Sequence, residues 1–149
     1  MNDIEFLTFA MQGDMDAVGL VMSVVKIADF WDNLIDGDKP VSNEDINNAF
    51  WLACVDIPRN PVYRKYQLDI TTVFSTGIIN WLVANKLQAG DEHAKQIAHV
   101  TRYSIADVSL YLATAIGGIE WAAEVGPELR LRSQKDRLEN FLEEMKNEK

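Results

Sequence analysis

Residues 14–37 read DMDAVGLVMSVVKIADFWDNLIDG, and the spacing of apolar and acidic side chains along them decides the fold class. Asp14 or Asp16 can cap a helix that runs to about Asp36, where Gly37 supplies a stop and Pro40 follows. At about 100° per residue, Leu20, Val24, Ile27, Phe30, Trp31, Leu34 and Ile35 make one broad core-facing surface. Asp29, Asp32, Asn33 and Asp36 share the opposite sector. Traced upstream, that sector runs into Val25, Met22 and Val18. A surface helix keeps its outer face polar along its length. This one is apolar nearly all round for two turns and then carries carboxylates on one side, the pattern of a cleft wall, apolar at depth and acidic at the mouth.

Outward from this helix the punctuation is helical throughout. Residues 3–11 read as a short first helix closed near Gly13. Ser42-Asn43-Glu44-Asp45 fits a capping box opening a third helix with Ile46, Phe50, Trp51 and Cys54, ending before Pro58. Asn60-Pro61 is a cap followed by proline at the first helical position, and the fourth helix runs from there to Gln88, with Gly90 as its stop. Asp91 caps a fifth, carried to about Ile116. Gly117-Gly118 kinks that helix or divides it from Ile119–Val125, and Gly126-Pro127 reads as the clearer break. Residues 128–149 form an amphipathic C-terminal helix through Leu131, Leu138, Phe141, Leu142 and Met145, frayed at EEMKNEK. The expected fold is all-α: residues 1–149 as a single-domain helical bundle of about five to seven helices.

Composition narrows the function classes. The chain is 48% hydrophobic and 25% charged, a globular balance that argues against disorder. One cysteine, Cys54, excludes an internal disulfide and a multi-cysteine zinc site, and fits a reduced compartment. The start MNDIEF has no basic region of a secretory signal, and no apolar run reaches the roughly 20 residues of a membrane span. A cytoplasmic protein without membrane contact is the expectation. The net charge is −9 and uneven, with 11 acidic and 3 basic side chains in residues 1–60 against 12 and 11 in residues 61–149. Such a field repels nucleic acid and attracts metal cations or a basic protein surface. Only the cluster Arg130, Arg132, Lys135 and Arg137 runs against it.

Three carboxylates at i, i+3 and i+7 repel one another unless a cation lies between them, and Mg²⁺ is the natural hard cation for carboxylate oxygen. The string Ile27-Ala28-Asp29-Phe30-Trp31-Asp32-Asn33-Leu34-Ile35-Asp36-Gly37-Asp38 resembles the first aspartate-rich motif of the isoprenoid synthases, in both the squalene/phytoene and the polyprenyl branches. The resemblance implies an all-α enzyme in which Asp29, Asp32 and Asp36 hold Mg²⁺ and, through it, a substrate diphosphate above an apolar cavity. It covers about a dozen residues; the adjacent Asp-Asp pair is missing, and Asp107 and Glu120/Glu124 do not make a second motif.

Two further stripes carry polar groups: Lys65, Asp69, Thr72, Thr76 and Asn80 on the fourth helix, and Lys95, His99, Arg102 and Tyr103 on the fifth. Facing the aspartates, Lys95 and Arg102 could hold a phosphate; otherwise each stripe is the wet side of an amphipathic helix. His93 and His99 lack the Glu-x-x-His pattern of a di-iron site. Asp107, among Ile105, Val108, Leu110 and Tyr111, needs a partner if buried, Arg102 or a tyrosine. No nucleophile motif or phosphate-cradling glycine loop is present, so no catalytic residue is assigned. Trp31, Trp51, Trp81 and Trp121 read as core or interface anchors. The leading expectation is an accessory protein, of the kind found in phages, that acts by binding a protein partner or itself. The alternatives are a Mg²⁺-dependent binder or enzyme of a diphosphate compound, and a nucleic-acid mimic built on the acidic first 60 residues. The paired Glu-x-x-Glu motifs of all-α nucleotide pyrophosphatases are missing.

Overall fold

The computed structural model describes residues 1–134 and 136–147. It is all-helical, with no strand among the described residues, as the periodicity predicts. The chain divides into two compact units, residues 1–70 and 71–149.

In the first unit α1 (Asp3–Ala10) and α2 (Met15–Asp36) begin on side-chain caps. Asn2 and Glu5 form a reciprocal capping box, and the Asp14 carboxylate accepts from the amides of Asp16 and Ala17 at 3.1 Å. Asp14, not Asp16, is therefore the cap of α2. Gly37 closes it in the left-handed conformation at φ 68°. The N-terminal half of α2 is the buried part, through Ala17, Val18, Leu20, Val21 and Val24, and α1, α3 and α5 all pack on this helix. Towards its C-terminus the expected core face is not buried: Ile27, Phe30 and Trp31 are half-buried, and Leu34 and Ile35 are exposed.

The capping box of Ser42 and Asp45 starts α3 (Asn43–Trp51) as expected. This helix does not stop before Pro58. It widens into a π turn (Leu52–Asp56) in which the Ile57 amide donates to the Leu52 carbonyl five residues back, and then continues as α4 (Ile57–Arg59). Proline cannot donate to the carbonyl four residues before it and crowds it in an ordinary helix; the wider turn just upstream relieves both conflicts. Asn60 then caps α5 (Pro61–Lys65) through the amides of Val62 and Tyr63. The predicted single helix from Pro61 is broken at Tyr66, φ −116°, and resumes as α6 (Gln67–Leu87).

In the second unit the Asp91 cap opens α7 (Glu92–Thr101), which ends well short of Ile116. The Ser104 hydroxyl donates to the Thr101 carbonyl at 2.7 Å, a local bond that competes with the helical ladder. A 3₁₀ turn (Ser104–Ala106) leads into α8 (Asp107–Ser133). Within α8, Gly118 has φ 89° and ψ −179°, a conformation open in practice to glycine alone. The helix folds back there. Asp107 forms an ion pair with Arg130, and Leu110 lies 3.1 Å from where a Cβ on Gly126 would stand; a straight helix would hold Asp107 and Arg130 roughly 35 Å apart at 1.5 Å per residue. Gly117-Gly118 is therefore the division, and Gly126-Pro127 lies inside the returning arm. Gly126 is a contact glycine, kept small by Leu110 across the hairpin, and not a stop.

The last helix, α9 (Leu138–Asn147), packs on α7. Phe141 is buried with Ala84 and Ala98, and Leu87, Leu142 and Met145 surround them. The expected single helix over residues 128–149 is therefore two, residues 128–133 ending α8 and α9 starting at Leu138. Phe141, Leu142 and Met145 are covered from within the chain, whereas Leu131 and Leu138 are exposed. Residues 148 and 149, part of the expected frayed end, lie outside the described residues.

Candidate functional site

Asp29 and Asp36 are exposed and Asp32 is half-buried, on the last turns of α2. Among the described residues no group of three or more His, Cys, Asp or Glu side chains is placed to hold a metal ion. Val18, the deep end of the expected apolar stripe, belongs to the core, while Met22 and Val25 are half-buried.

Lys95 and Arg102 are both half-buried in the second unit. Arg102 is engaged by α6: its guanidinium donates to the Asn85 side-chain carbonyl at 2.8 Å and lies 5.5 Å from the centre of the Trp81 ring. Trp81 is itself 6% exposed, a true core tryptophan. The stripe containing Arg102 is not the wet side of α7. His99 is buried, its ring 4.9 Å from that of Phe141, while Ile97 and Val100 face outward. The inversion arises because α9 lays Phe141 against this side of α7, something the heptad-scale pattern of α7 could not announce. On the fourth-helix stripe, by contrast, Lys65, Asp69, Thr72 and Thr76 are exposed, the solvated reading, while Asn80 is half-buried.

The remaining candidates find structural partners. Asp107 pairs with Arg130, with both side chains about two-fifths exposed, and not with Arg102 or a tyrosine. The basic cluster is likewise taken up in ion pairs: Arg130 with Asp107, Arg132 with Glu128 at 2.8 Å and Arg137 with Glu139 at 3.2 Å. Lys135, its fourth member, lies outside the described residues.

A different feature stands out in the first unit. Phe50 and Trp51 end α3 on its outer side, 66% and 57% exposed, whereas the buried side of this helix is Ala49. The third helix thus shows its large aromatics to solvent, and of the two readings of Trp51, core or interface anchor, the core one does not hold. Trp51 is not loose. Its indole N–H donates to the Asp56 carboxylate at 3.1 Å, across the π turn. In an α-helix residues five apart stand about 140° round the axis from each other; the wider π turn draws Trp51 and Asp56 to one side. The result is an exposed indole held in one orientation beside a carboxylate, with exposed Cys54 on the same turn. The signal in the sequence is Pro58 shortly after a helical Phe-Trp pair, which demands a distortion between them.

Compared with known proteins, no family model, curated relative or solved structure matches the chain. The similarity of residues 27–38 to isoprenoid synthases therefore rests on those residues alone.

Proposed function

We propose that this is a non-catalytic helical protein that works by protein–protein interaction, with Trp51 and Phe50 as the anchor of its binding surface. The observation that carries this reading is the exposed Trp51 indole, fixed by Asp56. Interfaces concentrate their binding energy in a few residues, tryptophan foremost among them. A side chain already ordered in the free protein loses less freedom on binding, and π turns recur where a helix is adapted for function. Residues 1–70 hold 12 acidic and 5 basic side chains, so the partner is a basic surface with an apolar pocket for the ring. A cytoplasmic location is part of this proposal; no described helix is long and apolar enough to cross a membrane. The diphosphate alternative has no comparable observation behind it.

The test begins with a photo-crosslinking amino acid at Phe50 in cells, to identify what lies against α3. Titration of the purified pair by calorimetry comes next. Trp51→Ala is expected to weaken binding at least about tenfold, the loss of one anchor residue, and added salt to weaken it further. Equal affinity for the wild type and Trp51→Ala, or no crosslink above that of a crosslinker placed at Thr72, would end the proposal.

A further inference from the structure

His99 is 4% exposed. Its Nδ1 is buried without a hydrogen-bond partner, and so is Oε1 of Gln134. The ring packs on Phe141 of α9 and meets the Tyr103 ring edge-on, 6.1 Å between centres. The Gln134 amide donates to the His99 backbone carbonyl at 2.9 Å. Around the same cluster α6 brings Ala84 and Leu87, and α9 brings Phe141, Leu142 and Met145. These surroundings suit a neutral imidazole. Burial pushes its pKa below the ordinary 6.5; the Asp136 carboxylate and backbone pull it back in part, and the Arg102 guanidinium lowers it again. Among the described residues Tyr103 is a further titratable neighbour in contact with the ring.

We propose that His99 is a pH-sensitive latch for α9: a proton taken up at Nδ1 lifts the C-terminal helix from α7. Among the described residues a second N–H at Nδ1 finds no acceptor, and a buried charge against Phe141 has Asp136, in the segment that leads into α9, as its carboxylate partner. The Gln134 amide N–H holds the His99 carbonyl, and its Oε1, itself without a partner, makes no hydrogen bond to Nδ1. Water reaches Nδ1 when Phe141 withdraws, so the protonated ring favours the undocked helix. The sign comes from the depressed pKa. The neutral ring's contribution to docking is full above 6.5 and is lost as pH falls through the folded-state value, below 6.5. Opening uncovers Ala84, Leu87 and Ala98 together with Phe141, an apolar surface that exists at low pH alone.

The experiment is backbone NMR relaxation of the full chain from pH 7.5 to 4.5, with the His99 ring protons followed in the same samples. Order parameters over residues 138–147 are expected to fall from about 0.85 to below about 0.6, with the midpoint of the His99 titration, while α2 stays rigid. His99→Phe, which keeps a ring and cannot take a proton, is expected to hold α9 ordered at pH 4.5. Asp136→Asn removes the carboxylate that favours the charged ring, so it is expected to move the midpoint to lower pH, and it serves if the phenylalanine variant does not fold. The proposal is overturned if α9 stays ordered through the range, if it is already disordered at pH 7.5, if His99→Phe loosens in parallel with the wild type, or if the Asp136→Asn midpoint does not move.

Discussion

Asn60 shows how much one side chain can settle. Its Oδ1 accepts from the amides of Val62 and Tyr63, which opens α5. Its Nδ2 donates to the Asp16 carbonyl at 2.9 Å, which ties that opening to the first turn of α2, forty-four residues away. The first role is visible as Asn-Pro in the sequence; the second is not, because nothing local specifies which carbonyl the amide will reach. Removing both at once is expected to cost about 2 kcal/mol, the upper end for a helix cap plus one neutral hydrogen bond. Urea unfolding of Asn60→Ala would show this as a lowered midpoint with unchanged slope, whereas Asn60→Asp keeps the cap and is expected to lose about half as much. An unchanged midpoint in Asn60→Ala would remove Asn60 from the scaffold.

At the scale of elements, the hairpin within α8 rests on two adjacent glycines that act for different reasons. Gly118 supplies the backbone angle of the turn, and Gly117 supplies space, since a Cβ there would stand 2.2 Å from the Trp121 ring. Gly118→Ala is expected to destabilise by about 1–3 kcal/mol, the usual cost of forcing a side chain into such a conformation. In contrast, Asp107→Asn is expected to cost less than about 1 kcal/mol, because the pair with Arg130 is two-fifths open to solvent. Thermal unfolding of the two variants separates them; equal losses would mean that the ion pair, and not the turn, holds the arms together. The same distinction between backbone angle and space explains why Gly126-Pro127 is no break. Glycine beside proline is the stronger stop signal in isolation, yet here Gly126 is selected by the approach of Leu110, a contact between residues sixteen apart.

For the whole molecule the uneven charge matters most. Residues 1–70 carry 12 acidic against 5 basic side chains and residues 71–149 carry 11 against 9, so self-repulsion is concentrated in the first unit. Raising NaCl from about 10 to about 300 mM shortens the Debye length from about 30 Å to below 8 Å, and Tm is expected to rise by a few degrees. A Tm that falls with salt would mean that attractive pairs outweigh that repulsion. The all-helical class was legible in the sequence, as were the caps Ser42, Asn60 and Asp91 and the stop at Gly37, which depend on residues within four positions of one another. The choice of Asp14 over Asp16 as the cap of α2 was left to the structure. Which face of a helix is buried depends on what packs there. Tertiary structure alone decided that Phe50 and Trp51 point outward and that His99 lies beneath Phe141. It also turned α8 back on itself, bringing Asp107 to Arg130. Periodicity fixes only which side chains share a face, and contact between distant segments chooses which face the core takes.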